Sequence, residues 1–300
     1  MKKTSIMHLF TAAKNASPFD VNMAFDAGYE KIISYTDVTL NEVIALTQDA
    51  IFSRSPSGVK REALFIGGRD IHLALTMQQA AKNAMFTPFE MSTFADPSGA
   101  FTTAAAMLAK IDALLKNQHQ ALSAQIVAIF GAGGTVGSTA ALIAASLGAT
   151  VQLVAHKDVK QMQDYANDLQ AKYGVSLHVV DGTDDVKKTQ ILKMATVAIC
   201  AAAAGVRVLE HAHFNTSKTL KIVADVNAVA PSGAEGVDVM SDGQVIADMV
   251  VAGHDIKGIG ALVIGQLKYK TQQTMLQQML KAENPVHLAY NHAFDIARAL

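Results

Sequence analysis

The stretch Gln125–Lys157, QIVAIFGAGGTVGSTAALIAASLGATVQLVAHK, decides the fold class. It opens on an apolar run, crosses Gly131, Gly133, Gly134 and Gly137, and closes on a second apolar run. The pattern predicts a strand, a sharp turn, a helix and a second strand. A dinucleotide pyrophosphate asks for that turn. Backbone N–H groups must face it at the helix start, and the helix must pack close to the strand. Glycine meets these needs because it has no Cβ. Two registers are open: Gly131, Gly133 and Gly137, or Gly131, Gly134 and Gly137. Neither is the strict G-x-G-x-x-G. A plain strand-to-helix turn with packing glycines is the alternative. The second strand, about 20 residues on, favours the cofactor loop.

The end of that second strand chooses between dinucleotides. An acid there bonds the free ribose hydroxyl of NAD and repels a 2′-phosphate. This chain has Ala155-His156-Lys157, and a lysine beside a histidine attracts phosphate. The expectation is NADP, with NAD as the alternative. Asp158 follows at once, so a shift of one residue would restore an NAD-type acid.

Outward from this stretch, strands and helices alternate, which predicts an α/β chain with mainly parallel sheets. Before it, SIMHLF, KIISYT, EALFIGG and FEMSTFAD have strand character, and FDVNMAFDAG, TLNEVIALTQDAIF and DIHLALTMQQAAKNAMF have helix character. The alanine-rich GAFTTAAAMLAKIDALLKNQ is a long helix leading into the second series. After it come SLHVVD, a helix near DVKKTQILKMA, and strands TVAICAAA, LKIVADV and QVIAD. The expected division is an N-terminal α/β domain, 1–115, and a dinucleotide-binding domain, 116–265. The helical tail, 266–300, is expected to pack back on the first.

Composition bounds the function. Half of the residues are hydrophobic and 17% are charged, enough apolar content for a large core. The formal net charge of −1 gives no basic excess for nucleic acid. Cys200 is the only cysteine, so a cysteine metal cluster and an intramolecular disulfide are excluded. The longest apolar run, MATVAICAAAAGV, is shorter than the roughly 20 residues a membrane helix needs. The expectation is a cytoplasmic protein with no membrane partner. The histidines show no H-x-x-x-H or H-E-x-x-H pattern. His211 and His213, two apart, would share a face only on a strand, so no metal is expected.

Three further stretches carry candidate site residues. FADPSGAFTTAAA sets Asp96, Ser98, Gly99, Thr102 and Thr103 at the entrance of the long helix. Ser98 suits a helix cap, and the hydroxyls equally suit a polar substrate. VADVNAVAPSGAEGVD places Asp225 and Asn227 at the carboxyl end of a strand, where open α/β sheets bind ligands. Ala201, within the strand TVAICAAA, joins the cofactor-side candidates. GIGALVIGQLKYK is apolar up to Lys268 and Lys270, so one lysine points into a cleft or both end a surface helix.

These blocks together resemble the NAD(P)-dependent methylene-tetrahydromethanopterin dehydrogenases of methylotrophic bacteria. The resemblance runs through SPFDVNMAFDAGYEKIISYTDVT, ALFIGGRD, DPSGAFTTAAA, the glycine loop, KIVADVNAVAPSGAEGVD and IGALVIGQLKYK. It implies two α/β domains, with a pterin on the N-terminal side and NAD(P) on a Rossmann-like domain, in a homo-oligomer. It implies substrate-binding roles for Asp20, Ser98, Thr102 and Thr103, and an active-cleft role for Lys268. It implies cofactor contacts from the loop, Thr135 and Val136 included, and from Asp225 and Asn227. Two departures stand out. Where the family reads G-T-G-P-V-G, this chain reads Ala132-Gly133-Gly134-Thr135-Val136-Gly137. Where the family reads Gly-Arg-Lys, this chain keeps only Lys157.

The reaction implied takes a hydride from a carbon between two nitrogens and leaves an amidinium-like cation. No proton has to leave, so the lack of an evident acid–base dyad fits, and orientation and electrostatics remain the tasks. Lys268 would then oppose the developing cation unless it is neutral or aimed at a pterin carbonyl. Other readings are a methylene-tetrahydrofolate dehydrogenase, a shikimate-type NADP-dependent dehydrogenase, and a non-catalytic NADPH-sensing protein.

Overall fold

The computed structural model describes residues 3–214, 216–251 and 254–300. The chain divides into two compact units, Met1–Thr102 with Lys268–Leu300, and Thr103–Leu267. In chain order the elements are β1 (Ile6–Phe10), α1 (Pro18–Ala27), β2 (Lys31–Tyr35), α2 (Val43–Phe52), α3 (Pro56–Val59), β3 (Glu62–Ile66), α4 (Ile71–Ala84), β4 (Ser92–Ala95) and α5 (Ala100–Lys116). Then come β5 (Ile126–Phe130), α6 (Thr135–Ser146), β6 (Thr150–Ala155), α7 (Val159–Tyr173), β7 (His178–Asp181), α8 (Asp185–Met194), β8 (Val197–Cys200), α9 (His211–Phe214) and β9 (Ile222–Asp225). The chain closes with β10 (Asp242–Val251), β11 (His254–Ile259), α10 (Ala261–Lys281), β12 (His287–Leu288) and α11 (Tyr290–Ala299).

The first unit holds a five-stranded parallel sheet in the order β12-β4-β3-β1-β2. Its central strand β3, EALFI, is buried along its whole length. That is the mark of a parallel strand covered on both faces. Helix α1 starts cleanly because Ser17 caps it and Pro18 takes the first turn, where no N–H is missed. It stops at Gly28, whose φ of +105° costs a glycine little.

The second unit holds a seven-stranded sheet in the order β10-β11-β9-β8-β5-β6-β7. Only the β10–β11 pair is antiparallel. Strands β5 and β8 are almost wholly buried, and Phe130, Leu192, Phe214 and Val223 pack in one core.

The stretch carrying His211 and His213 is a helical turn, so the two do not share a face. His213 accepts from Glu210 N–H and stands 3.1 Å from Asp185. Strand β11 had no counterpart in the sequence reading. Gly258 interrupts its side-chain pattern, and the strand is held by pairing with β9. Among the described residues, no helix is long and apolar enough to cross a membrane, and no group of three His, Cys, Asp or Glu side chains is placed to hold a metal.

Candidate active site

In the first unit the chain runs from β1 to β2 on one side, then to β3 and β4 on the other. Such a reversal opens a crevice at the carboxyl ends of the strands. Phe10 lies opposite Ile66, and Ile66 opposite Ala95, so Thr11, Gly67 and Asp96 leave the sheet side by side. A pocket of about 450 Å³ occupies this place. Thr11, Phe19, Asp20, Gly67, Ser98 and Lys268 are among its walls, and Arg69 is an exposed cation beside them. A wider groove of about 620 Å³, at Gly28, Glu30, Arg61 and Lys281, has none of these groups in its walls.

Two buried polar side chains of the pocket wall, Asp20 and Lys268, belong to a cluster of four that lies behind it. Helix α10 presents Lys268 and, one turn on, Gln272. Helix α1 presents Asp20, and Asp96 follows β4. Lys268 Nζ donates to Gln272 Oε1, and Gln272 Nε2 donates to Asp20 Oδ1 at 3.1 Å. Lys268 Nζ also lies 3.5 Å from the centre of the Phe19 ring, a cation–π contact. A Cβ at Gly99 would stand 3.0 Å from Lys268 Cε, so residue 99 must be small for the lysine to lie there. Asp96 is fully buried. It accepts from Phe101 N–H at 2.9 Å, Thr102 N–H at 3.2 Å and Thr102 Oγ1 at 2.6 Å.

Burial dominates the electrostatics. It pushes the Asp20 carboxyl from 3.8 up to about 7, and the negative charge of Asp96 adds to the rise. Gln272, Lys268 and Ser17 pull the other way. Asp96 is also raised by burial, against Lys268 and its three hydrogen bonds. Lys268 is lowered by burial, against the pull of both carboxylates. Asp20 and Lys268 are joined through one amide and make no direct pair with each other.

A stability prediction follows from Asp20. Its folded pKa lies above its unfolded one, so its contribution is fully present below about pH 4 and is lost as pH rises to about 7. The loss is on the order of 4 kcal/mol. In thermal melts, wild type minus Asp20→Asn should carry this slope between pH 4 and 7. A difference flat in pH would remove Asp20 from the buried cluster.

The other candidates fall into place unevenly. Ser98 lies in the pocket wall with φ +54° and donates to Gly68 C=O at 2.8 Å. Thr102 is fully buried and spends its hydroxyl on Asp96, so direct substrate contact is corrected to support of Asp96. Thr103 is half-buried and is not part of the pocket wall. Asp96, named in the sequence only with the stretch at the helix entrance, belongs to the cluster, as do Gln272 and Phe19, which were not among the expected site residues. Gln272 is four residues after Lys268, a spacing that puts both on one helix face. Asp96 ends a strand, as ligand-side residues of such sheets do.

The second unit repeats the logic. The chain leaves β5 towards β6 on one side and returns to β8 on the other. Phe130 lies opposite Cys200, so Gly131 and Ala201 leave the sheet together. Gly131 has φ +84°, and a Cβ there would stand 2.4 Å from the Ala201 carbonyl carbon. A Cβ at Gly137 would stand 2.4 Å from Gly131 O. The fold itself therefore demands these two glycines. Gly133 and Gly134 are different: both are exposed, with room for a Cβ. Gly134 opens α6, and the first-turn N–H groups of Thr135, Val136 and Gly137 have no acceptor within the helix. An open, side-chain-free cradle under free N–H groups fits a pyrophosphate.

His156 and Lys157 are exposed just past β6. Asp158 caps α7 by accepting from Gln161 N–H at 2.9 Å, so its carboxylate is engaged by the helix. Asp181, paired with Ala155 across the sheet, is bound by Thr183 and Lys187, which hold its pKa down to about 2. Asp225 and Asn227 also point inward. Asp225 accepts from Asn227 and Ala234 N–H, and Asn227 links Gly205, Val229 and Pro231. They shape the loop after β9, and what they leave for a ligand is that loop's backbone.

Fold and sites define a two-unit α/β protein with a Rossmann-type dinucleotide crevice in one unit and a charged pocket in the other. The comparisons narrow the class. Residues 18–98 match the family model "Methylene-tetrahydromethanopterin dehydrogenase, N-terminal". Over 294 residues the chain is 40% identical to the NAD(P)-dependent methylenetetrahydromethanopterin dehydrogenase of Methylorubrum extorquens, covering 98% of this chain and 97% of that one. It is 28% identical to the bifunctional protein MdtA of the same organism, over 93% of each chain. Ornithine transcarbamoylase from Giardia lamblia has the same fold at a TM-score of 0.54 and 10% identity, over 94% of this chain and 88% of that one. The chain belongs to the methylene-tetrahydromethanopterin dehydrogenase family.

Proposed function

We propose that this protein oxidises methylene-tetrahydromethanopterin to the methenyl form with NAD(P), preferring NADP. The observation that carries the reading is 40% identity along essentially the whole chain to an enzyme of that name. The pocket chemistry supports it. The pterin enters the pocket of the first unit, where Gly67 and Gly68 leave a wall without side chains for a flat ring. Gly131, Gly133, Gly134, Thr135, Val136 and Gly137, with the Ala201 backbone, hold the dinucleotide, and His156 and Lys157 face its 2′-phosphate. When bound, the dinucleotide supplies the nicotinamide ring that takes up the hydride.

The chain's own residues orient the substrate and balance charge. Losing hydride makes the pterin a cation. With Asp20 and Asp96 ionised and Lys268 protonated, the three buried groups carry one net negative charge. This offsets the lysine within the cluster, while Arg69 stands in the pocket wall as a further, exposed cation. Lys268 can then anchor a pterin carbonyl without opposing the reaction. Preorganised charge of this kind needs no rearrangement as the cation forms.

The test is direct. Pure protein is mixed with methylene-tetrahydromethanopterin or methylene-tetrahydrofolate and NADP or NAD, and reduced dinucleotide is followed by absorbance. Turnover of the methanopterin with NADP is expected, and no turnover with any pair would overturn the reading. Lys157→Glu should lower kcat/KM for NADP by roughly 10–100-fold and leave NAD nearly unchanged. Equal losses with both would take the phosphate contact away from Lys157. The proposed working form is a cytoplasmic homo-oligomer, so sedimentation should return a mass above that of one chain.

A further inference from the structure

We infer that Gln272 is a positioning residue: its amide keeps the Asp20 carboxyl and the Lys268 ammonium apart and so sets how much negative charge faces the pterin. The inference rests on the proposed pterin reading of this pocket. Gln272 is fully buried. Its oxygen accepts from an ammonium, and its nitrogen donates to Asp20 at 3.1 Å. An ammonium only donates and a carboxylate only accepts, so the neighbours fix which way the amide points.

The lysine is confined as well. The Phe19 ring lies 3.5 Å from its Nζ, and the absence of a Cβ at Gly99 leaves the room it occupies. Gln272, on the next turn, accepts from the ammonium, which makes no direct pair with Asp20. Only Oδ1 of Asp20 is used by Gln272. Oδ2 lies on the side of Gly67, where a Cβ would stand 3.7 Å away, and Gly67 is a pocket wall. One carboxyl oxygen is thus held by Gln272, and the other lies towards the pocket wall. A direct Lys268–Asp20 ion pair would spend both groups on each other. The charged groups facing Asp20 are Asp96 after β4 and Lys268 on α10, with Arg69 after β3 in the pocket wall.

Gln272→Glu tests this. The side chain keeps its shape and its bond to Lys268, but it sets a second carboxylate against Asp20. Two carboxylates that close share one proton, so one of them ionises later. In wild type, kcat/KM should rise with pH as Asp20 ionises. In the variant this rise should move up by about one pH unit or more. A ligand-free readout runs beside it: the loss of thermal stability with pH should also extend to higher pH. Unchanged profiles in both readouts would mean that Gln272 only fills space, and would overturn the inference. If wild type fails to turn over the pterin, the substrate reading falls, and the ligand-free melts still judge Gln272. If Gln272→Glu does not fold, Gln272→Asn, too short to reach Asp20, should give a smaller upward move through the lost hydrogen bond, and no move would overturn the inference.

Discussion

Lys268→Ala is expected to lose roughly 10²–10³-fold in kcat/KM, with dinucleotide affinity unchanged. The truncation removes the ammonium that Gln272 and Phe19 hold at the pocket. On the proposed reading the pterin then loses an anchor, and its methylene carbon is no longer fixed for transfer. The variant also leaves Asp20 and Asp96 without their shared cation. Removing one member of a buried charge group typically costs about 3–5 kcal/mol. That cost depends on pH in a defined sense. Lys268 holds both carboxyls down, so its loss raises them further. Protonated carboxyls need no counter-charge. The variant should therefore be most destabilised at neutral and higher pH and recover towards wild type in acid. Thermal melts across pH check this. Unchanged turnover would remove Lys268 from the site, and a pH-independent loss would reduce it to packing.

Gly131→Ala is expected to abolish measurable dinucleotide binding and to destabilise the protein by several kcal/mol. The residue has φ +84°, and the added Cβ would fall 2.4 Å from backbone atoms of Ala201. No side chain is there to move aside, so the turn itself or the spacing of β5 and β8 must give. Gly133→Ala is the control. Its nearest atom to a new Cβ is Met162 Cε, at 3.9 Å. Stability should stay within about 1 kcal/mol of wild type, since an exposed methyl meets nothing. Dinucleotide affinity should still fall, because the methyl stands where the ligand must approach. Calorimetric titration with NADP reads both. If Gly133→Ala binds as wild type does, the exposed glycines are not the cradle.

The contrast between those two glycines shows what the sequence alone could carry. The glycine cluster between two apolar runs predicted strand, turn, helix and strand at the right place. It left two registers open, because spacing does not say which glycine a neighbouring strand presses on. The pressure on Gly131 comes from Ala201, seventy positions along the chain, and only the β5–β8 pairing reveals it. The pocket was less legible. Asp20 was named through family resemblance alone, and Lys268 through an apolar run that left it open between a cleft and a surface helix end. Asp20 and Gln272 are 252 positions apart, so their hydrogen bond has no trace in spacing. Gln272 was overlooked because an uncharged residue on a long helix stands out only once its face is known to be buried. The hydroxyls after Asp96 go separate ways: Thr102 holds the buried carboxylate and Ser98 bonds Gly68 C=O, a division that needed the coordinates of the turn. Strand β11 was missed for a related reason: its pairing with β9 comes from the sheet and not from its own alternation.

The central proposal is that methylene-tetrahydromethanopterin gives its hydride directly to NAD(P). Substrate carrying deuterium on the methylene carbon tests it most directly, with the reduced dinucleotide analysed by mass spectrometry after turnover. The account predicts one deuterium on the nicotinamide ring with wild-type protein and a large drop in labelled product with Lys268→Ala. Deuterium appearing in water, or reduced dinucleotide formed without label, would contradict it.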